Sequence, residues 1–278
     1  MSDPAVRAPK SPRPRRSAPA FAEMKRKGEP IVAVTAYDFP TARIADDAGV
    51  DLILVGDSLG TVVLGYESTL PVTMEDMLHH TKAVMRARPR ALVVADLPFM
   101  SYQTSPIEAL ANAGRLVKEG GADAVKLEGG ERAAEAVRII VEAGIPVMGH
   151  IGLTPQSVLQ FGGYRVQGRG EEAGERLLAD ARALERAGVF SLVLEGMPSE
   201  LSGRVTRAIA IPTIGIGAGA CCDGQVLVWH DALGFSFGHQ PKFVRKYADL
   251  AEGTAAGLTR FVEDVKQGRF PTSEESYE

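Results

Sequence analysis

Three acidic residues stand at the ends of three successive apolar runs. Asp57 ends the run LILVGD, Asp96 ends ALVVAD, and Glu128 directly follows AVKL. If the runs are neighbouring strands about 4.8 Å apart, the carboxylates would repel one another and raise one another's pKa unless a cation neutralised them. Oxygen ligands without Cys or His suit Mg²⁺ or Mn²⁺. The spacing therefore predicts a Mg²⁺ site at these acids, against the alternative that one or two of them cap helices or pair with arginine.

Three further polar residues end runs of the same kind. Lys126 stands two residues before Glu128, so on one strand both side chains point to the same face. A lysine beside a carboxylate cluster holds it by charge or binds a substrate carboxylate as a fixed point charge. Glu195 ends the run SLVLE, and a carboxylate in the pocket but off the metal is a natural general base, with an ion pair to arginine as the alternative. His150 ends PVMGH, where it hydrogen-bonds a substrate oxygen or orients the following loop.

The apolar runs predict the scaffold that brings these residues together. Seven runs, and a weaker eighth, are uniformly apolar, as strands buried on both faces of a parallel sheet are. The amphipathic stretches between them end in Gly, where a helix C-terminus needs a left-handed residue. This alternation predicts a (β/α)8 TIM barrel, whose strand ends meet at the mouth that holds the active site, with a doubly wound open sheet as the alternative. The runs begin at Ile31, Leu52, Ala91, Ala124, Pro146, Ser191, Thr213 and Gln225.

Composition divides the chain into three segments. Residues 1–20 are rich in Pro, Arg and Ala and have no hydrophobic period, which predicts a disordered tail. Residues 21–270 are predicted to form a single (β/α)8 catalytic domain, with extra helices from roughly Lys242 to Gly268. Residues 271–278, PTSEESYE, are predicted to be a polar C-terminal tail.

Composition and charge also exclude classes of partner. The chain has 278 residues, 45% of them hydrophobic and 24% charged, as in an ordinary soluble protein with a full core. Its formal net charge of -4 gives no bulk electrostatic reason to bind nucleic acid or acidic lipid. No apolar run approaches the roughly 20 residues that span a bilayer. Cys221 and Cys222 are adjacent and lack zinc-ligand spacing. We therefore predict a cytoplasmic protein that binds neither nucleic acid nor membrane.

The chain also carries a series of longer motifs. They are VTAYD at Val34, LVGDSLG at Leu54, TLPVT at Thr69, ADLPFM at Ala95, VKLEGG at Val125, GHIGLTPQS at Gly149, GGYRVQGRG at Gly162 and GIGAG with CDGQVLVWHD. Together and in this order they resemble the ketopantoate hydroxymethyltransferases. The resemblance runs from about Phe21 to Phe270, and the Pro/Arg-rich leader before it departs from the compact family pattern.

The resemblance implies a barrel enzyme of pantothenate biosynthesis. It implies transfer of a hydroxymethyl group from 5,10-methylenetetrahydrofolate to 3-methyl-2-oxobutanoate, through a Mg²⁺-stabilised enolate, to give 2-dehydropantoate and tetrahydrofolate. The family's metal ligands fall on Asp57, Asp96 and Glu128, and its base falls on Glu195. A homo-oligomer is also implied, often a decamer built as a pentamer of dimers. The family's keto-acid contacts fall on Asp57, Ser58, Asp96 and Lys126.

Two other functions fit the same scaffold. A Mg²⁺-dependent lyase or mutase of the isocitrate lyase and phosphoenolpyruvate mutase type shares the barrel and the 2-oxo acid enolate. Against it, the KKCGH-type motif of isocitrate lyases is absent, and the two cysteines follow the seventh run. A catalytically silent barrel that binds a keto acid or a metal is hard to reconcile with metal, lysine and base positions together. Turnover with both substrates and Mg²⁺ separates these alternatives.

Overall fold

The structure is a computed structural model that describes residues 14–238 and 240–277. The predicted barrel is confirmed, because eight parallel strands pair in sequence order and the last pairs with the first. This closed pairing excludes the doubly wound open sheet. Each apolar run supplies one strand: β1 (Ile31–Thr35), β2 (Leu52–Val55), β3 (Leu92–Asp96), β4 (Ala124–Lys126), β5 (Val147–Gly152), β6 (Ser191–Glu195), β7 (Thr213–Ile216) and β8 (Gly224–Leu227).

Helices precede β1 and follow the strands except β7, which leads directly to β8, and several helices begin at capping residues. The Thr73 hydroxyl accepts a hydrogen bond from the Asp76 N–H, and the Asp76 carboxylate accepts one from the Thr73 N–H. Short 3-10 helices form at Glu131–Ala133 and Pro155–Ser157. The α-helices of this part are α1 (Ala18–Lys27), α2 (Phe39–Ala48), α3 (Leu59–Val62), α4 (Met74–Met85), α5 (Pro106–Lys118), α6 (Ala134–Glu142), α7 (Val158–Phe161), α8 (Glu171–Ala187) and α9 (Ser199–Ala208).

Alternate residues of each strand belong to two different hydrophobic clusters. In β3, Val93 and Ala95 belong to the larger cluster, which includes residues of the surrounding helices. Leu92 and Val94 belong to a smaller cluster made mainly of strand residues and of Phe21. Since successive side chains of a strand point to opposite faces, the smaller cluster fills the barrel interior. The buried strands are thus apolar on both faces, as the uniform runs predict.

Three aspartates, each just before a strand, accept a hydrogen bond from a backbone N–H near the start of the adjacent strand. Asp51, just before β2, accepts a hydrogen bond at 3.0 Å from an N–H of β1. Asp123, just before β4, accepts one at 3.0 Å from an N–H of β3. Asp223, just before β8, accepts one at 2.8 Å from an N–H of β7. These carboxylates satisfy backbone donors that the sheet leaves free at the N-terminal ends of its strands.

A basic N-terminal segment binds the same three aspartates. The Phe21 ring of α1 is fully buried in the inner cluster and lies edge-on to Phe190, with ring centroids 5.8 Å apart. The segment thus closes the N-terminal end of the barrel with the buried Phe21 ring, which serves as an apolar plug, and with three ion pairs. The pairs are Arg16 with Asp51 at 2.8 Å, Arg15 with Asp123 at 2.6 Å, and Lys25 with Asp223 at 3.1 Å.

The observed start of ordered structure differs from the predicted boundary. The tail was predicted to extend to residue 20, but α1 begins at Ala18, which is buried, and Arg15 and Arg16 bind the barrel rim. The physical reason is long-range: the basic residues of the segment meet carboxylates that its own composition does not reveal. Residues 1–13 lie outside the described residues, so disorder stays a prediction for them.

A second compact unit begins at Trp229. It contains α10 (Trp229–Ala232) and α11 (Leu250–Lys266), so the segment predicted as one domain is divided after β8. No residue of α11 is buried, although Leu258, Phe261 and Val262 are large and apolar. A 3-10 helix, Ser273–Glu275, forms in the segment predicted as a polar tail. Among the helices of residues 14–238 and 240–277, none has the length and apolar character to span a membrane.

Candidate active site

The polar residues at the strand ends lie on the same face of their strands as the residues that fill the barrel interior. Asp96 follows Leu92 and Val94 at the two-residue period of a strand, so it lies on the same inner face. This period extends to the three following strands and places further polar side chains in the mouth. These side chains are Lys126, His150 and Glu195.

The three acids predicted as metal ligands come together in one buried region. Asp57, Asp96 and Glu128 are 4%, 2% and 3% exposed. The backbone N–H of Asp57 donates to Asp96 Oδ2 at 3.0 Å, which joins the ends of β2 and β3. Asp96 pairs in register with Lys126 of β4, two residues before Glu128. The structure therefore gathers these three side chains as the sequence predicts.

Each acid has one carboxylate oxygen held by a neutral donor. Asp57 Oδ2 accepts from the Gln156 side-chain amide at 2.9 Å, and Glu128 Oε2 accepts from the Gln156 backbone N–H at 3.0 Å. Asp96 Oδ2 accepts from the Asp57 N–H. The opposite oxygens, Asp96 Oδ1 and Glu128 Oε1, are buried and accept no hydrogen bond of good geometry. These donors orient the carboxylates, as partners behind metal ligands do. The opposite oxygens face cationic side chains, with Asp96 Oδ1 3.0 Å from Lys126 Nζ and Glu128 Oε1 3.4 Å from His150 Nδ1.

Electrostatics disfavours the ionised forms of the two aspartates in the absence of a cation. Burial raises the pKa of Asp57 well above its ordinary value, and repulsion from Asp96 and Glu128 adds to the effect. Burial also raises the pKa of Asp96, although the positive charge of Lys126 opposes the shift. For Glu128, burial is outweighed by contact with His150 and by Lys126, so its pKa is lowered.

Lys126 supplies a fixed positive charge beside the acids. Its Nζ lies 3.0 Å from Asp96 Oδ1, and both side chains are almost completely buried. Burial lowers the pKa of Lys126, but attraction from Asp96, Glu128 and Asp57 outweighs it and raises the pKa. The ammonium group therefore stays charged at neutral pH and is suited to hold an anionic substrate group.

His150 lies between two carboxylates. Its Nδ1 is 3.4 Å from Glu128 Oε1, and its Nε2 is 3.2 Å from Glu195 Oε2. Burial and Lys126 lower the pKa of His150, but the contacts with Glu128 and Glu195 raise it overall to about 9. Nδ1 also lies 3.5 Å from Lys126 Nζ, but a protonated imidazole accepts no hydrogen bond, so this is a contact between like charges. Glu195 is the more accessible residue, with its side chain 15% exposed against 4% for His150.

Ser58 also lies at the mouth, directly after Asp57. Its hydroxyl is 2.8 Å from the hydroxyl of Tyr37, which follows β1. His80 of α4 contacts the Tyr37 carbonyl oxygen at 2.6 Å. Tyr37 was not singled out from the sequence, although it stands in the motif VTAYD. Its contact with Ser58 makes it a neighbour of the predicted keto-acid site.

Tyr102 and Gln156 are further residues that the sequence reasoning missed. Both are buried, and the Tyr102 hydroxyl lies 2.7 Å from Gln156 Oε1. The Gln156 side chain reaches Asp57 across 99 positions of the chain. The motif GHIGLTPQS contains Gln156 and was the one signal that pointed to it.

The chemistry of the donors suits Mg²⁺. Within residues 14–238 and 240–277, no group of three or more Asp, Glu, His or Cys side chains is arranged so that it could hold a metal ion. Mg²⁺ nevertheless takes one or two protein carboxylates and keeps several waters, and Asp57 and Asp96 are adjacent, with the Asp57 N–H donating to Asp96 Oδ2. Three acids face one lysine and His150, so a divalent cation would relieve the repulsion that raises the pKa of Asp57.

Comparison with known sequences identifies close relatives. A family model described as ketopantoate hydroxymethyltransferase matches residues 15–273. A 3-methyl-2-oxobutanoate hydroxymethyltransferase of Moorella thermoacetica is 63% identical over 265 residues, which cover 95% of this chain and 98% of the relative. A protein of the same name from Thermoanaerobacter sp. is 59% identical over 255 residues, which cover 92% and 93% of the two chains.

Solved structures of lower identity share the barrel. A 2,3-dimethylmalate lyase of the PEP mutase/isocitrate lyase superfamily aligns with a TM-score of 0.60 at 19% identity, covering 94% of this chain and 91% of that one. A phosphonopyruvate hydrolase in complex with oxalate and Mg²⁺ aligns with a TM-score of 0.59 at 12% identity, covering 93% and 92%. At these identities the likeness shows the fold alone.

Proposed function

We propose that this chain, which belongs to the ketopantoate hydroxymethyltransferase family, transfers a hydroxymethyl group from 5,10-methylenetetrahydrofolate to 3-methyl-2-oxobutanoate. The products are 2-dehydropantoate and tetrahydrofolate, in pantothenate biosynthesis. The observation that carries the proposal is the layer of buried Asp57, Asp96 and Lys126 with the half-buried Glu195 in the barrel mouth, in a chain 63% identical to a relative of that name.

Mg²⁺ is the proposed metal, with Asp57, Asp96 and Glu128 as the residues that hold it. When bound, it supplies a Lewis acid that draws electron density from the keto oxygen of the substrate. The burial of three carboxylates in one region of the mouth supports this assignment. The raised pKa of Asp57 supports it too, because the carboxylates resist full ionisation without a cation.

The keto acid is proposed to bind beside these acids. Lys126 offers a charged ammonium group, and Ser58 offers a hydroxyl whose position is fixed by Tyr37 at 2.8 Å. Together they can hold the substrate carboxylate, with Asp57 and Asp96 adjacent. His150 is proposed to donate to a substrate oxygen from Nε2, which is buried and, although 3.2 Å from Glu195 Oε2, makes no hydrogen bond of good geometry.

Glu195 is proposed to remove the C3 proton of the keto acid. Its carboxylate reaches solvent at the mouth and lies outside the three acids assigned to the metal. His150 lies between Glu195 and Glu128, with Nε2 3.2 Å from Glu195 Oε2, so its ring is placed to orient the carboxylate of the base. Water releases the one-carbon unit from the two folate nitrogens as formaldehyde, which leaves tetrahydrofolate. After proton removal, C3 attacks the formaldehyde carbon to form the new carbon–carbon bond, and the resulting alkoxide takes up a proton to give the hydroxymethyl group.

A turnover assay with both substrates tests this function. Purified protein with Mg²⁺ should form 2-dehydropantoate in proportion to the tetrahydrofolate released. Cleavage of a 2-oxo acid or of a malate derivative without folate would instead support the lyase alternative. The likeness to such lyases is below 25% identity and supports only the shared barrel.

Association of several copies is proposed as well. Val32 of β1 and Ile44 of α2 are 52% and 56% exposed, and α11 exposes Leu258 and Phe261. Large exposed apolar side chains often mark protein–protein surfaces, which supports a homo-oligomer. The decamer, the pentamer of dimers within it and a cytoplasmic location stay predictions from the family resemblance. Light scattering coupled to gel filtration measures the number of copies.

A further inference from the structure

Gln156 uses every hydrogen-bonding group of its side chain within a buried network. Its Nε2 donates to Asp57 Oδ2 at 2.9 Å and to the Leu97 carbonyl oxygen at 3.0 Å. Its Oε1 accepts from the Tyr102 hydroxyl at 2.7 Å and from Gln103 Nε2 at 3.1 Å. The residue is only 4% exposed. A primary amide has two donor hydrogens and two acceptor lone pairs, so this side chain has no capacity left.

The surroundings fix the direction of this amide. A flipped amide would put its oxygen against the Leu97 carbonyl and the Asp57 carboxylate, which both accept hydrogen bonds. On the other side, the Tyr102 hydroxyl receives a hydrogen bond from the Glu128 N–H at 3.1 Å. Its own proton is then directed to Gln156 Oε1 at 2.7 Å, the shorter of its two acceptor contacts. Tyr102 therefore selects the orientation that presents the amide hydrogens to Asp57.

The same residue also holds the second acid through its backbone. The Gln156 N–H donates to Glu128 Oε2 at 3.0 Å, so one residue clamps acids from the ends of β2 and β4. The clamp spans Asp96 of β3, which lies between them. All of its donors are neutral, so it orients the carboxylates without adding a positive charge that would compete with a cation.

We infer that Gln156, oriented by Tyr102, is a positioning residue that sets which oxygens of Asp57 and Glu128 face the metal. This inference rests on the proposed function, because it takes the metal site from there. Gln156 binds Asp57 Oδ2 and Glu128 Oε2, so a cation would meet the opposite oxygens, of which Glu128 Oε1 also lies 3.4 Å from His150 Nδ1. Partners behind metal ligands typically contribute about 10- to 100-fold to metal affinity.

Direct metal binding tests the inference without turnover. The affinity of the metal-free protein for Mn²⁺ is measured by electron paramagnetic resonance, and urea unfolding is followed with and without Mn²⁺. Gln156→Met keeps the side-chain length and removes the amide, and should weaken Mn²⁺ binding by about 10- to 100-fold. Tyr102→Phe keeps the ring and removes the orienting hydroxyl, and should weaken it by about tenfold.

Gln160→Met is the matched control. Gln160 is exposed, lies four positions later and contacts Arg132 rather than the acids. Its variant should bind Mn²⁺ like the wild type. A merely structural role for Gln156 would lower the urea midpoint equally with and without Mn²⁺ and leave the affinity unchanged, which would overturn the inference.

The remaining outcomes are also decisive. If Gln156→Met fails to fold, Tyr102→Phe decides: wild-type affinity in a folded Tyr102→Phe protein overturns the inference. A wild type that binds Mn²⁺ while both variants bind it equally well refutes the inference alone. A wild type that binds no Mn²⁺ refutes the proposed metal site and the inference with it.

Discussion

His150 Nε2 lies 3.2 Å from Glu195 Oε2, while the other ring nitrogen lies 3.4 Å from Glu128 Oε1. One imidazole therefore connects the proposed base with a proposed metal ligand. Its pKa of about 9 in the metal-free protein makes it a cation at neutral pH. We propose that the ring orients the carboxylate of Glu195, because its Nε2 faces that group.

Removal of the metal is expected to abolish turnover. Treatment with EDTA should stop 2-dehydropantoate formation, and Mg²⁺ should restore it. Asp96→Asn removes one charge from the site and should weaken metal-dependent keto-acid binding by about 100-fold or more. Residues that only orient metal ligands contribute up to about 100-fold, and a ligand itself should contribute at least as much. Calorimetric titration of the keto acid with and without Mg²⁺ measures this. Asp47→Asn, at an exposed carboxylate paired with Arg43, is the control. Full activity in metal-free buffer would refute the site.

The affinity for Mg²⁺ is expected to rise with pH. Burial raises the pKa of Asp57 and Asp96, so the metal-free site holds protons above the ordinary range of an aspartate. Binding of a cation expels these protons. Affinity should therefore fall as pH decreases through the raised pKa values and level off above them. Calorimetry in buffers of different ionisation enthalpy counts the released protons. An affinity that does not change with pH would contradict the predicted coupling.

The N-terminal plug is expected to stabilise the fold, whereas the leader before it is not. Deletion of residues 1–13 should leave the free energy of unfolding nearly unchanged. Phe21→Ala, at a fully buried ring, should lower it by about 3–5 kcal/mol. Urea unfolding measures both changes. Arg26→Ala is the matched control, because Arg26 of the same helix is exposed and pairs only locally with Glu23. A wild-type midpoint for Phe21→Ala would show that the plug does not support the barrel.

Gly152 is expected to be essential for the loop that carries Gln156. Its φ is +94°, and a Cβ at this position would lie 2.2 Å from the Glu195 carbonyl oxygen. Gly152→Ala should displace the loop and reduce turnover and metal binding together. Gly162→Ala is the control, since Gly162 has a φ of +64° but open space around it. That change should cost about 1–2 kcal/mol of stability and leave metal binding intact. Normal Mn²⁺ affinity in Gly152→Ala would contradict this role.

The sequence was sufficient for the barrel and for the polar layer because both follow local rules. Uniform apolar runs predict buried parallel strands, and a polar residue after such a run must lie at a strand end. Asp57, Asp96, Lys126 and His150 were found in this way, and the structure places all four in the mouth.

Residues whose role depends on distant contacts could not be found by these rules. Tyr102 lies in a loop and Gln156 in a short 3-10 helix, and their contact joins positions 54 apart in the chain. Arg15 and Arg16 were assigned to a tail because composition alone does not reveal the aspartates that they meet. Their partners come from sequence-distant strand starts, which only the closed barrel brings within reach.

Glu195→Gln is expected to separate proton removal from substrate binding. The wild type should exchange the C3 hydrogen of 3-methyl-2-oxobutanoate for deuterium from deuterated water, in the presence of Mg²⁺ and without folate, because Glu195 removes this hydrogen as a proton. The glutamine keeps the size and an acceptor oxygen for His150, so binding should survive. The basic carboxylate is lost, so exchange should slow by about 100- to 10,000-fold. Nuclear magnetic resonance of the C3 signal over time measures the rate.

The control and the contrary outcome follow from the geometry. Glu200→Gln changes an exposed glutamate of α9 and should exchange at the wild-type rate. If neither the wild type nor the variant exchanges without folate, the measurement is repeated with tetrahydrofolate bound, which completes the site. Exchange by Glu195→Gln at the wild-type rate would show that another group removes the proton. His150 would first have to lose its own proton to do so, and exchange would then rise with pH toward the raised pKa of about 9.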